Sequence, residues 1–236
     1  MNFLFLHGGY HGAWCWEPLI VELKSRGHEA LAIDFPGAGK DTSPRRSVTK
    51  ETYLDTVDTF ISKNNLSNLV LVGHSLAGVV MPEVFVRNSQ EIDDLIFIAA
   101  IVLEKGERGI DFIPEDRRPK YFELAEKSGD GTVMWDFERA WKTWFSDFSE
   151  FEARKYFEKL TPQPLSIFLA ESSANISEIT VPKSYILCKQ DQAFPEAVAR
   201  KFANKLAGKT IEINCGHEVM LSNPKELSEV LTQEAI

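Results

Sequence analysis

A chain of 236 residues, 44% hydrophobic and 26% charged, has the composition of an ordinary soluble globular protein and can bury a large core without disulfides or metals. Its net charge of −9, with no dense run of Lys or Arg, repels polyanions and argues against a nucleic-acid partner. Cys15, Cys188 and Cys215 are odd in number and lie far apart, and no apolar run nears the ~20 residues of a bilayer span, so a reducing, cytoplasmic location without membrane attachment is expected.

In chain order, residues 2–6 form a short apolar run expected to be a strand. It is followed by the glycine-bearing segment His7-Gly8-Gly9-Tyr10-His11-Gly12 and a helical pattern over 16–26. A second strand is expected at 30–34, a helix at 49–63, a third strand at 69–72, and a helix at 76–88. Strands at 95–100, 184–188 and 210–213 complete the set, with helices at 195–206 and 224–232. Short, continuously apolar strands alternating with amphipathic helices mean βαβ units, hence an α/β fold with a doubly wound, mainly parallel sheet of about six strands. The alternation breaks once, over residues 104–180, where only helical pattern and turn breaks occur. That segment is expected to be a helical lid on a core made of residues 1–103 and 181–236. Within it Phe137, Trp141, Trp144, Phe145 and Phe148 fall on one face of a helix, as packing onto the body or as a lining for a substrate cavity.

Residues 69–78 place Ser75 at the turn between an apolar strand and an apolar helix, the context of a nucleophile elbow. The second small position is Ala77, followed by Gly78, so the motif departs slightly from Gly-x-Ser-x-Gly. A serine needs a base to take its proton. Of the five histidines, His217 follows the last strand at the edge where open α/β sheets bind ligands, whereas His28 reads as a turn residue and His74 as pointing away. Asp191, on the loop after the penultimate strand, lies between serine and histidine in the order this fold uses; Glu104 is the weaker candidate acid. Backbone N–H donors for an oxyanion are expected at Leu76 and in the loop after the first strand. Phosphate binding at Gly37-Ala38-Gly39-Lys40-Asp41-Thr42 fails on spacing, because Asp41 stands where Ser or Thr should follow the Lys.

The opening His7-Gly8-Gly9-Tyr10-His11-Gly12-Ala13-Trp14-Cys15-Trp16 resembles that of the plant methylesterase and hydroxynitrile lyase family and its bacterial esterase relatives. The likeness continues through Asp34-Phe35-Pro36-Gly37-Ala38-Gly39, Gly73-His74-Ser75-Leu76-Ala77-Gly78 and Leu160-Thr161-Pro162-Gln163-Pro164. It ends in Gln190-Asp191-Gln192-Ala193-Phe194-Pro195 and Gly216-His217-Glu218-Val219-Met220-Leu221, and so spans nearly the whole chain. The resemblance implies an α/β-hydrolase fold, with Ser75 as nucleophile, Asp191 as acid and His217 as base. It further implies an oxyanion hole made by the N–H groups of Gly9 and Leu76, no cofactor and no metal. The expected partner is a small apolar or aromatic ester, and a homodimer is left open. Tyr10, His11, Trp135 and Trp144 are the expected pocket residues. The lyases carry Thr and Lys where this chain has Gly8 and Glu218, which favours the esterase branch, because a carboxylate cannot stabilise departing cyanide. Lyase-type cleavage of a cyanohydrin, or a non-catalytic ligand-binding role on the same scaffold, are the rival readings.

Overall fold

The computed structural model describes residues 1–234. Four strands open the chain, β1 (Asn2–Leu6), β2 (Glu29–Ile33), β3 (Leu69–His74) and β4 (Ile92–Ile98), interleaved with helices α1 (Glu17–Ser25), α2 (Lys50–Lys63) and α3 (Met81–Arg87). Next come α4 (Arg118–Ser128), β5 (Thr132–Val133), α5 (Phe137–Thr143), α6 (Glu150–Phe157), β6 (Gln163–Pro164) and α7 (Leu165–Leu169). The chain closes with β7 (Lys183–Cys188), α8 (Glu196–Leu206), β8 (Lys209–Ile213), α9 (Val219–Ser222) and α10 (Pro224–Glu234). The main sheet runs β2-β1-β3-β4-β7-β8 with every neighbouring pair parallel, the doubly wound α/β arrangement that the alternating pattern implied and the α/β-hydrolase fold that the resemblance implied.

Both faces of this sheet are covered, which is why β3 is buried at all of its positions. Helix α2 shows how the cover is specified: Thr49 and Thr52 cap its N-terminus reciprocally, and Tyr53, Leu54, Val57 and Ile61 turn one stripe inward. The sheet order reverses beside β1, whose neighbours are β2 and β3, so the loops leaving β1 and β3 emerge side by side. Their register sets Leu6 against Gly73 and carries both chains to the same edge.

Three expectations need correction. The helix expected at 76–88 is a 3₁₀ turn over Ser75–Val79 followed by α3. Gly78 explains the break: a Cβ there would stand 1.9 Å from the carbonyl oxygen of Ile101, so the turn is pressed against the chain leaving β4. Pro82 then starts a new helix, where its missing N–H costs nothing. The aromatic face read across 137–148 is not one helix, because α5 stops at Thr143 and α6 restarts beyond Ser149, whose hydroxyl caps it. Between them Asp147 leaves the helical path to accept the Gly216 N–H at 2.9 Å. The segment 104–180 also contains an antiparallel pair, β5 with β6, too short and too Pro-bearing to show any alternation in sequence.

Candidate active site

Ser75 follows β3 with φ of 52°, a left-handed backbone conformation costly for a residue with a side chain. The turn is held from both ends. The Ser75 carbonyl accepts the Ile101 N–H at 3.0 Å, and a Cβ at Gly73 would stand 2.2 Å from Met81 Sδ. The small residues of the motif are therefore needed because strand, turn and helix touch there.

The register of β7 and β8 brings the other two candidates together. Cys188 pairs with Ile213, and the Gln190 N–H then donates to the Cys215 carbonyl at 2.9 Å, so Asp191 and His217 leave the sheet on adjacent loops. His217 Nδ1 lies 2.7 Å from Asp191 Oδ2 and its Nε2 lies 3.0 Å from Ser75 Oγ. Asp191 Oδ1 accepts the Ala193 and Phe194 N–H groups at 2.6 and 3.0 Å, which fixes the carboxylate in one orientation. Burial works to lower the His217 pKa, but the charge and hydrogen bond of Asp191 outweigh it and the net direction is upward. His217 Nδ1 meets Asp191 and not Glu104, whose backbone N–H donates to the Glu107 carboxylate.

His74 does not point away as expected. Its Nε2 donates to the His217 carbonyl at 3.0 Å, its ring centroid is 4.6 Å from that of His217, and burial holds it neutral, well below the usual histidine pKa. It thus supports the loop that carries His217. His74, His217 and Glu218 could converge on a metal, with one ligand atom each within 4.8 Å. Both His217 nitrogens are already engaged by Ser75 and Asp191, so a metal would compete with that chain.

The loop after β1 sits directly against the elbow. A Cβ at Gly8 would be 2.9 Å from Ser75 Cβ, and one at Gly9 would be 3.1 Å from Leu76 Cδ2. Among the described residues the Gly9 N–H has no protein acceptor, and Leu76 stands at the start of a helical turn, where N–H groups are left over. His7 braces the loop, donating from Nδ1 to the Gly8 carbonyl at 2.8 Å and accepting the Phe35 N–H at Nε2. The insertion braces it too. Tyr10 donates its N–H to Gln163 Oε1 at 3.2 Å, and its carbonyl accepts the Thr161 N–H at 2.8 Å.

Glu218, read from sequence as a carboxylate, is fully buried, and its oxygens make no hydrogen bond within normal geometry. Burial pushes its pKa up to about 8, which favours the neutral acid over the carboxylate near pH 7. His11 agrees with that assignment. Its Nδ1 donates to the Gly9 carbonyl at 2.8 Å, which leaves Nε2 as an acceptor, 3.5 Å from Glu218 Oε1. Burial lowers the His11 pKa to about 3. Unfolded Glu218 loses its proton near its ordinary pKa of 4.5 and folded Glu218 near 8, so its contribution to stability is complete below pH 4.5 and is lost as pH rises through 8. The melting temperature of Glu218→Gln should therefore fall less than that of the parent between pH 5 and 8.5; parallel curves would mean that Glu218 is already ionised.

The elbow, the β1 loop and the insertion enclose one cavity of about 110 Å³ that contains Ser75 and His217. Of the four expected pocket residues Tyr10, His11 and Trp144 line this cavity and Trp135 does not. Trp135 stands behind Tyr10, donating from Nε1 to the Tyr10 hydroxyl at 3.0 Å. Lining residues with no sequence signal are Phe112, Ile113, Phe168 and Phe194, and the cations Arg117 and Arg139. No periodicity could single out these residues, because they come from separate turns of the insertion and from the loop after β7.

A parallel sheet with a strained serine at one strand end and an Asp–His pair beside it defines a class, the α/β hydrolases. The chain belongs to the Alpha/beta hydrolase family, whose profile it matches over residues 3–230. It is 26% identical over 240 residues to the "Carbendazim hydrolyzing esterase" of Nocardioides sp. (strain SG-4G), covering 98% of each chain. It is 28% identical over 255 residues to "Methylesterase 1" of Arabidopsis thaliana, covering 97% of this chain and 93% of the other. Among solved structures, an extracellular α/β-hydrolase from a Paenibacillus species superposes with a TM-score of 0.93 at 23% identity, covering 99% of this chain and 98% of that one.

Proposed function

We propose that Ser75, His217 and Asp191 act as a catalytic triad, with the N–H groups of Gly9 and Leu76 as the oxyanion hole. The chain is an ester-hydrolysing serine hydrolase, in keeping with relatives named as esterases and methylesterases. The observation that carries the reading is the unbroken hydrogen-bonded chain Ser75 Oγ–His217 Nε2, His217 Nδ1–Asp191 Oδ2, at 3.0 and 2.7 Å. His217 takes the Ser75 proton as the oxygen attacks the ester carbonyl, and the oxyanion that forms is held by the two N–H groups. The imidazolium, stabilised by Asp191, then protonates the departing alcohol. A water deprotonated by His217 attacks the acyl-serine and releases the acid.

The aromatic lining supports small esters with an apolar or aromatic part, and neither cofactor nor metal is needed. No helix among the described residues is long and apolar enough to cross a membrane. The neutral Glu218 gives lyase chemistry no cation for cyanide, and the engaged serine argues against a purely binding role. Hydrolysis of small aryl methyl esters without cyanide release from cyanohydrins is the expected assay result; cyanide release in place of ester turnover overturns the reading.

Trp144 packs against Tyr10 in a tilted ring pair with centroids 4.5 Å apart and lines the cavity. Trp144→Ala should raise kcat/KM for bulky aryl esters relative to acetate by about 10-fold, the scale of discrimination set by apolar pocket walls. Trp135→Ala, made outside the cavity, should lower the melting temperature with a smaller shift in that ratio. Equal ratios in parent and Trp144→Ala would return Trp144 to a packing role.

A further inference from the structure

The arginines of the described chain divide into two groups. Arg26, Arg87, Arg108, Arg154 and Arg200 place their guanidinium groups on carboxylates. Arg45, Arg46 and Arg118 place theirs on backbone carbonyls. The remaining two, Arg117 and Arg139, make no such bond among the described residues, and both line the cavity that contains Ser75. In a chain of net charge −9, where acids outnumber bases, unpaired arginines meeting in one cavity require a physical account.

Arg139 is half-buried on the insertion. Its guanidinium lies over the Trp135 ring, 4.1 Å from Cζ to centroid, and Trp135 is in turn fixed by its hydrogen bond to Tyr10. The nearby carboxylates are committed elsewhere: Asp136 caps α5 by accepting the Arg139 N–H at 2.9 Å, and Glu138 pairs with Lys142 at 2.6 Å. The cation–π contact with Trp135 tethers the guanidinium, and among the described residues its N–H groups meet no protein acceptor; a guanidinium so left binds a planar carboxylate through two parallel bonds. Arg117 is exposed at the rim of the same cavity, where a charge acts by attracting an anion to the mouth. Among the described residues the one acidic side chain in the lining is the buried Glu218, whose pKa burial pushes up to about 8, away from the charged form.

We propose that Arg139, with Arg117 at the rim, forms an anion subsite on the insertion wall of the cavity, and that the preferred substrates are esters carrying a free carboxylate remote from the scissile bond, such as half-esters of aromatic dicarboxylic acids. The inference rests on the reading of Ser75 as the nucleophile and extends it to substrate class. The carboxylate is held on Arg139, and the far ester carbonyl is presented to Ser75 and the oxyanion donors.

The test compares kcat/KM for monomethyl terephthalate with that for its neutral amide isostere, methyl 4-carbamoylbenzoate, in the parent, Arg139→Gln, Arg139→Lys and Arg117→Gln. The parent is expected to favour the anionic ester by at least about 10-fold, the effect of one charge-assisted bidentate contact. Arg139→Gln should bring the ratio near one, Arg139→Lys should restore part of it, and Arg117→Gln should reduce it most at low ionic strength. A parent ratio near or below one, or a ratio unchanged in Arg139→Gln, overturns the subsite. Calorimetric binding of monomethyl terephthalate to Ser75→Ala, with and without Arg139→Gln, reads the subsite without catalysis. Weaker binding on loss of Arg139 supports the subsite even if neither ester is turned over, an outcome that would sink the hydrolase reading instead. Equal affinity in the two proteins overturns the subsite.

Discussion

Replacing Ser75 with Ala is expected to lower kcat for a small aryl ester by about 10⁶, the scale of nucleophile loss in an enzyme of this kind, and to leave the fold intact. The chemical part follows from the hydrogen bond to His217 Nε2 at 3.0 Å, since among the described residues no other hydroxyl meets the base. The structural part follows from the backbone. The turn is held by the Ile101-to-Ser75 bond and by close contact at Gly73 and Gly78, none of which involves Oγ. Alanine also accepts the φ of 52° no better and no worse than serine. The melting temperature should therefore stay within a few degrees of the parent. Activity of the variant within about tenfold of the parent would remove Ser75 from the mechanism.

The second large effect is expected at Asp191. Asp191→Asn should lower kcat by about 10⁴ without unfolding the chain, and the hydrogen-bond pattern says why. Oδ1 is pinned by the Ala193 and Phe194 N–H groups, so an asparagine would keep its oxygen there and turn its amide nitrogen toward His217 Nδ1. That nitrogen must then accept, the ring proton moves to Nε2, and the imidazole can no longer take the proton of Ser75. The pH profile should change as well. His217 must be neutral to act as base, so its raised pKa places the rise of activity above pH 6.5 in the parent. With the Asp191 charge removed, burial dominates and the residual activity should rise at lower pH. A variant with parental kcat and an unmoved profile would assign the acid elsewhere.

Much of this site was legible because its signals are local. A strand buried on both faces needs a continuous apolar run, and a strand–turn–helix contact needs small residues, so β3 and its elbow show themselves in residues 69–78. Asp191 and His217 could be found from chain order, since each must follow a strand of the same parallel sheet. What stayed illegible depends on the meeting of distant segments. Glu218 reads as a charge because nothing in sequence shows that it will be sealed between His11 and His217. Trp135 is an expected pocket residue, but its indole N–H seeks Tyr10, 125 positions away, and that bond sets it behind Tyr10. The aromatic spacing from Phe137 to Phe148 imitates a single helix because the turn that breaks it is ordered by a contact to Gly216, which no local pattern encodes.

The bonds between the insertion and the β1 loop have a kinetic consequence. Gln163 and Thr161 hold the backbone of Tyr10, Trp135 holds its hydroxyl, and Asp147 holds the loop leading into His217. Lifting the insertion to admit a larger guest must release those ties, and with them the fixed position of the Gly9 N–H and of the imidazole. If substrate entry requires that lift, the same bonds that shape the cavity tie the rate of turnover to the rate of reclosing.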